Sequence, residues 1–384
     1  MQFCDEYKLI KDEIIGLRRY FHSHPELSFR EYNTMEKICS VLDKYEISYT
    51  KGIAKTGICC VIGKKAEKTL LIRADIDALP TDEKTGLEFS SMQDGVMHAC
   101  GHDIHISSAL CAAIILKKHE QELNGCVKIV FEPGEETTGG ALPMIEEGVL
   151  HNPEVTCAIA GHVTPEIETG KIKLKSGPIM ASPDDFEITF VGKSSHGAEP
   201  QNGINPIMPA SEFALGIKNE AMPVVAGGNV LSVCTLLADG SVNTIPDEAK
   251  VLGTFRSFDQ VSRDKAANVI GEFADKCAKK YGATIKYKYN FLYPPVVNDA
   301  KLTKDFCRIA TDTLGEENVL EFEKPLMTGD DFSYFANAVP SVYFWFGGKL
   351  KENDKLHSSS FSADENSIEI CSKVICEFAR WYLK

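Results

Sequence analysis

Positive charge is what this 384-residue chain is short of: 41 lysines and arginines stand against 55 aspartates and glutamates, a formal net charge of -14. Phosphate binding needs a basic face, so no nucleic-acid partner is expected. An anionic small substrate stays compatible, because a few local cations can outweigh the global field. Long hydrophobic runs are missing too. The densest apolar stretch, Ala109 to Leu116, is far too short to span a bilayer, so no membrane partner is expected either. The opening MQFCDEYKLI has neither a basic n-region nor an apolar h-region, and no secretory signal is read there. The thirteen cysteines have no short repeating spacing, and their number is odd. That pattern predicts reduced thiols in the cytosol, most of them small buried hydrophobes, rather than a disulfide framework. No internal repeat or low-complexity tract stands out.

What is present is globular. With 43% hydrophobic residues and more length than one core usually serves, two domains are expected. Leu9, Ile10, Ile14, Leu17, Tyr20 and Phe21 recur at helical spacing, and Pro25 closes that helix. Short apolar runs at 57–63, 69–74, 126–131 and 155–160 read as buried strands, with helical patterns at 103–119 and 141–150. Such alternation predicts an α/β layer whose functional residues gather at strand ends. The middle differs. Strands at 185–191, 230–238, 248–258 and 284–293 and helices at 205–219 and 261–281 give the order β-α-β-β-α-β, the ferredoxin-like split motif. The expected organisation is a discontinuous catalytic domain, 1–182 and 297–384, interrupted by an inserted lid at 183–296. A last helix is read near 364–383.

Five short segments carry the chemistry. In His98-Ala99-Cys100-Gly101-His102-Asp103, at a predicted helix start, Cys100 and His102 could grip one metal. A helix N-terminus would also favour the thiolate. The competing reading is a surface loop with a free cysteine and Asp103 as a cap. Glu135 and Glu136 follow a buried strand. There one could ligate a cation while its neighbour takes a proton from water, although adjacent glutamates are more often a solvated pair. His162 ends another buried strand, where a core histidine is the alternative. Asp75 and Asp77 share a strand face, so one of them could orient a ligand or the base. His357 lies in a late polar loop. Each signal is weak alone, but all fall where an α/β sheet collects side chains. In the middle segment are His196, Asn243 and Arg256. A planar guanidinium suits a substrate carboxylate, with a surface ion pair as the alternative for Arg256.

His357, Asn243 and Arg256 apart, these residues sit in RADIDALP (73–80), HACGHDIH (98–105), FEPGEE (131–136), GHV (161–163) and GKSSHGAEP (192–200), and a sixth motif, GDDFSYF (329–335), follows them along the chain. In that order and spacing, over nearly the whole chain, they resemble the zinc-peptidase-like amidohydrolases. That family includes hippurate hydrolases, N-acetyl-amino-acid deacetylases and auxin-conjugate hydrolases. The resemblance implies a metallopeptidase-like α/β domain with an inserted ferredoxin-like lid that often mediates dimers, so a homodimer is expected. It implies two divalent cations per subunit (zinc, manganese, cobalt or nickel) held by Cys100, His102, Glu136, His162 and His357. Glu135 would be the general base, Asp75 would support the site, and His196, Asn243 and Arg256 would bind the substrate and its tetrahedral intermediate. The implied substrate is a small N-acyl amino acid, and the implied location is the cytoplasm.

There are departures. Glu132 and Gly134 stand where the usual form, FQPAEE, has Gln and Ala, and Gly134 would loosen the turn that aims Glu135. Gln201 stands where relatives often carry His. Two other functions compete: a metal-free thiol amidase with Cys100 as nucleophile and His98 or His102 as base, and a non-catalytic metal binder. A dipeptidase is the nearest rival in chemistry.

Overall fold

The structure is a computed structural model that describes residues 3–64, 66–225, 227–350 and 355–384. It divides into two compact units, the first comprising Met1–Ile179, Val297–Pro325 and Asp331–Lys384, the second Met180–Val296 and Leu326–Asp330. Each is described by itself. Among the described residues no helix is long and apolar enough to cross a membrane.

The first unit is mixed α/β. Its helices include α1 (Phe3–Ser23), α2 (Tyr32–Lys44) and α3 (His102–Lys118). Its sheet contains β1 (Tyr49–Ile53), β2 (Gly57–Gly63), β3 (Thr69–Asp75), β4 (Cys126–Glu132), β5 (Cys157–Glu168) and β6 (Ile172–Leu174). Strands Ser341–Lys349 and Val319–Glu321 complete eight, in the order β1-β2-β4-β3-β5, then Ser341–Lys349, β6 and Val319–Glu321. β3 runs parallel to β4 and β5, and Ser341–Lys349 parallel to β5. Every residue of β3 and β4 is buried, which is why these strands read as continuous apolar runs rather than alternating ones. α3 is buried from His102 to Leu116 and packs against α1, the C-terminal helix Ser367–Tyr382 and β3. A helix apolar all round belongs inside. Each buried Ile or Leu contributes roughly 1.5–3 kcal/mol, so the first turn of α3 rests on a firm foundation.

Register then aligns the chemistry. Asp75 pairs with Glu132 across β3 and β4, and Arg73 pairs with Ala160 across β3 and β5. Asp75 follows Arg73 by two residues on β3, as His162 follows Ala160 by two on β5. Some boundaries differ from the sequence reading. The helix predicted over 141–150 ends at Glu146. Gly148 turns it off at φ +89°, and the Gly148 and Val149 amides donate to the Ile145 and Met144 carbonyls.

The second unit contains the strands Ser182–Val191, Val230–Ala238, Glu248–Ser257 and Thr284–Asn290, all antiparallel. Numbered in chain order their sheet order is 2-3-1-4. The helices Ile207–Gly216 and Gln260–Lys280 cover one face, where Phe186, Phe190, Phe213, Phe255, Ile270 and Phe273 form the core. The alternating burial of Glu248–Ser257 fits a sheet with one covered face. The Leu326–Asp330 strip joins this unit because the Ala181 amide donates to the carbonyls of Leu326 and Thr328.

Candidate metal centre

Cys100 and His102 enter the site through a glycine. Gly101, the residue before α3, has φ +83°, and a Cβ there would come 2.4 Å from Val163 Cγ1. Only glycine lets the chain turn this close to β5. Cys100 is buried, its Sγ 3.4 Å from His162 Nε2 and 3.3 Å from His357 Nε2. His162 Nδ1 lies 2.7 Å from the Val163 carbonyl oxygen, which can only accept. Nδ1 therefore carries the proton, and Nε2 presents its lone pair toward the sulfur. Burial, with His105 beside it, holds His162 well below the usual imidazole range, in the neutral form a ligand needs. His357 sits at φ +65°, tied by its amide to the Ala99 carbonyl at 2.8 Å, with Nε2 3.4 Å from Glu136 Oε1.

His102 occupies the centre. Its Nδ1 lies 3.3 Å from Asp77 Oδ1 and 3.7 Å from Asp75 Oδ1, and its Nε2 3.8 Å from Glu136 Oε1. Burial opposes charge on this ring, but Asp75, Asp77 and Glu136 outweigh it and push the pKa up to about 10. Neither ring nitrogen makes a hydrogen bond, nor do Asp77 Oδ1 or Glu136 Oε1. Unpaired buried donors and acceptors are costly, and a cation satisfies such a set at once. Two sets of potential ligand atoms, Cys100 with His102 and His162, and Cys100 with Glu136 and His357, each lie within 4.8 Å of one another. A third pairs His102 with Glu135 and Glu136. Thiolate, imidazole and carboxylate form a donor set suited to a borderline divalent ion, so the residues fit a metal site.

The thiolate expectation changes here. With no cation to bind it, burial raises the Cys100 thiol well above its ordinary value, and Glu136, Glu135 and Asp75 add to the effect. Three nearby carboxylates and a dry pocket outweigh a helix N-terminus. A metal-free nucleophile is therefore poorly served. Of its two candidate bases, His98 is held down to about 4 by burial, and His102 is pushed up to about 10 by the surrounding carboxylates, which keeps that ring protonated.

Several contributors were not singled out from sequence. His105, one turn beyond His102, is near enough to Asp75 to look like a ligand. Both of its nitrogens are engaged, however: Nδ1 meets Asp75 Oδ1 at 2.5 Å, and Nε2 accepts from the Val163 amide at 2.9 Å. It links β3 to β5 instead. Arg73 is buried among three carboxylates, with Nε 2.8 Å from Glu132, one terminal nitrogen 2.5 Å from Asp75 and the other 3.0 Å from Asp331. The Glu132 departure thus has a partner. Asp103 does not cap α3. It pairs with Arg18 at 3.0 Å and His22 at 2.8 Å, fastening α1 to the site helix. Gly134 does not loosen its turn either. Its φ is +71°, and the Phe29 ring lies so close that a Cβ would meet it at 2.4 Å.

The second unit brings His196 and Asn243 together on a two-stranded ribbon, Ser195–His196 against Thr244–Ile245, where the Gly197 amide donates to the Asn243 carbonyl at 2.6 Å. Arg256 lies on Glu248–Ser257, half-buried, facing the neutral oxygens Thr254 Oγ1 and Asp184 O. The surface ion pair considered for it does not form among the described residues.

Comparison with known proteins agrees with this geometry. The profile of Peptidase family M20/M25/M40 matches residues 71–381. The chain is 35% identical over 377 residues to thermostable carboxypeptidase 1 of Saccharolobus solfataricus, covering 95% of this chain and 94% of that one. It is 35% identical over 376 residues to N-acetylcysteine deacetylase of Bacillus subtilis, covering 97% of each. Among solved structures, the Bacillus subtilis YXEP protein, a dinuclear metal-binding peptidase from the M20 family, superposes with TM-score 0.85 at 34% identity, covering 98% of this chain and 99% of that one. The clustered candidate ligands, the sheet that assembles them and these matches lead to one conclusion: the chain belongs to peptidase family M20/M25/M40.

Proposed function

We propose that the chain is a metal-dependent amidohydrolase that cleaves the amide bond of N-acyl amino acids, releasing a carboxylate and a free amino acid. The observation that carries this reading is the convergence of Cys100, His102, Glu136, His162 and His357 beside Glu135. Those five residues would hold two divalent ions, which supply Lewis acidity for activating water and polarising the amide carbonyl. Glu135 takes the proton from the attacking water and returns it to the leaving amine. Asp75 and Asp77 brace His102, with Asp77 the nearer at 3.3 Å. His196 stabilises the developing oxyanion, and Arg256 with Asn243 takes the substrate carboxylate. Among the described residues Arg256 has no charged partner, which supports that role.

The second unit is read as a ferredoxin-like lid, supported by its β-α-β-β-α-β connectivity and 2-3-1-4 sheet order. It is also the proposed homodimer contact. Val230–Ala238 is an edge strand with Val230, Leu236 and Leu237 exposed, an edge that a second copy could cover. The proposed location is the cytoplasm.

The two similar proteins are named for acting on an acylated amino acid and on a peptide C-terminus, and both descriptions place a free carboxylate beside the amide. The test is turnover of acetyl-, benzoyl- and indoleacetyl-amino acids, and of dipeptides, each beside its C-terminal amide. Free-carboxylate acyl substrates should be preferred roughly tenfold to hundredfold, a charge-assisted contact's worth, and Arg256→Met should erase the preference. Equal turnover of the amidated forms would contradict the Arg256 assignment. Dipeptides outcompeting every acyl substrate would move the assignment to a peptidase.

A further inference from the structure

One buried carboxylate outside the ligand set lies against the turn that carries Glu135. Glu31 occupies the position before α2 and is fully buried, yet its side chain does not cap that helix. Instead Oε1 accepts from the Phe29 amide at 2.9 Å and the Gly134 amide at 3.0 Å, while Oε2 accepts from Thr56 Oγ1 at 2.5 Å. Gly134 immediately precedes Glu135. Phe29, at φ +58°, sets its ring against Gly134, where a Cβ would meet it at 2.4 Å. On the other side of Glu135, Asp77 Oδ2 accepts the Glu136 amide at 3.1 Å and is itself held by Ser28 Oγ at 2.6 Å. The amides on both sides of Glu135 are therefore each gripped by a carboxylate, and residues 28–31 contribute to both grips.

A carboxylate placed in a dry interior is costly, and burial pushes Glu31 up to about 7 against the pull of the Thr56 hydroxyl. The compensation is that three donors, the Phe29 and Gly134 amides and the Thr56 hydroxyl, converge on its two oxygens, so its acceptor capacity is met inside the fold. A base must lie within hydrogen-bond reach of the proton it takes, and a misplacement of about 1 Å costs on the order of a hundredfold.

We infer that Glu31 is a positioning residue, which fixes the Glu135 carboxylate for proton transfer by holding the Gly134 amide. The inference rests on the assignment of Glu135 as the base.

The test compares Glu31→Ala and Glu31→Gln in the metal-loaded full chain, by kinetics and by amide hydrogen exchange of the segment spanning Gly134–Glu136. Glu31→Ala should lower kcat about tenfold to hundredfold with KM and bound metal unchanged, and exchange of that segment should accelerate. Glu31→Gln keeps an acceptor oxygen for the Phe29 and Gly134 amides and should restore most of kcat and the slow exchange. If kcat in Glu31→Ala matches the parent, or if Glu31→Gln falls as far as Glu31→Ala with exchange unchanged, the inference is overturned. A parent enzyme that hydrolyses no acyl amino acid would overturn the functional reading, and the exchange comparison would still decide whether Glu31 holds the turn.

Discussion

Glu135→Gln is expected to lower kcat by roughly 10²–10⁴-fold while leaving KM, bound metal and the fold unchanged. The side chain is buried at the site, with an oxygen in the group formed with His102 and Glu136. Glutamine fills nearly the same volume and keeps an acceptor oxygen, so packing and the Gly134 turn survive. What it loses is the capacity to take and return a proton. That loss falls on the chemical step, so kcat and kcat/KM should drop together. Metal analysis and steady-state kinetics on the same preparation check it. Near-parental turnover with metal bound would remove Glu135 from the mechanism.

The second large effect is expected at Arg73, and it is on stability. Its guanidinium is the cation found against Glu132, Asp75 and Asp331, all three of them buried. Arg73→Met preserves most of the volume but leaves these carboxylates without that charge. Breaking a buried ion pair by removing one partner costs about 3–5 kcal/mol, and here three buried carboxylates lose the same cation. The denaturant midpoint of the first unit should fall accordingly. Arg73→Lys keeps the charge but not the fork that reaches three acceptors, so it should recover only part of the loss. If Arg73→Met unfolded at the parental midpoint, the network would be ornamental to stability. Asp75 gives the network a second consequence, because it is joined through His105 to the Val163 amide beside His162. Loosening Arg73 should therefore also weaken metal retention.

Much of this was legible in the chain itself. Buried strands β2, β3 and β4 announce themselves as apolar runs because helices cover them, and their ends mark Asp75 and the Glu135–Glu136 pair as candidates, although the role of Glu135 comes only from the family resemblance. Cys100, His102, His162 and His357 could be nominated because ligand-type residues at strand ends and helix starts converge in a parallel sheet. What local reasoning missed depends on distant neighbours. The thiolate expectation for Cys100 considered the helix end but not Glu135, Glu136 and Asp75, which arrive from β3 and from the turn after β4. Gly134 suggests a loosened turn in the sequence because its partner, the Phe29 ring, is far away along the chain. Glu31 belonged to no motif, and its hydrogen bond to Gly134 spans 103 residues. Glu132 looked like an unexplained departure until Arg73 supplied its counter-charge. Pattern identifies which residues can do chemistry, whereas the residues that aim them are found only by folding the chain.

The most direct test of the central claim is stepwise metal reconstitution of chelated enzyme, followed by hydrolysis of an N-acetyl amino acid and by counting bound metal in parallel for the parent and Cys100→Ala. The account predicts no turnover after chelation and recovery as the second equivalent of zinc, manganese, cobalt or nickel binds. It also predicts loss of loading in Cys100→Ala without loss of fold. Turnover that persists in the chelated protein and is abolished by alkylating Cys100 would contradict it, and would make this buried thiol the nucleophile after all.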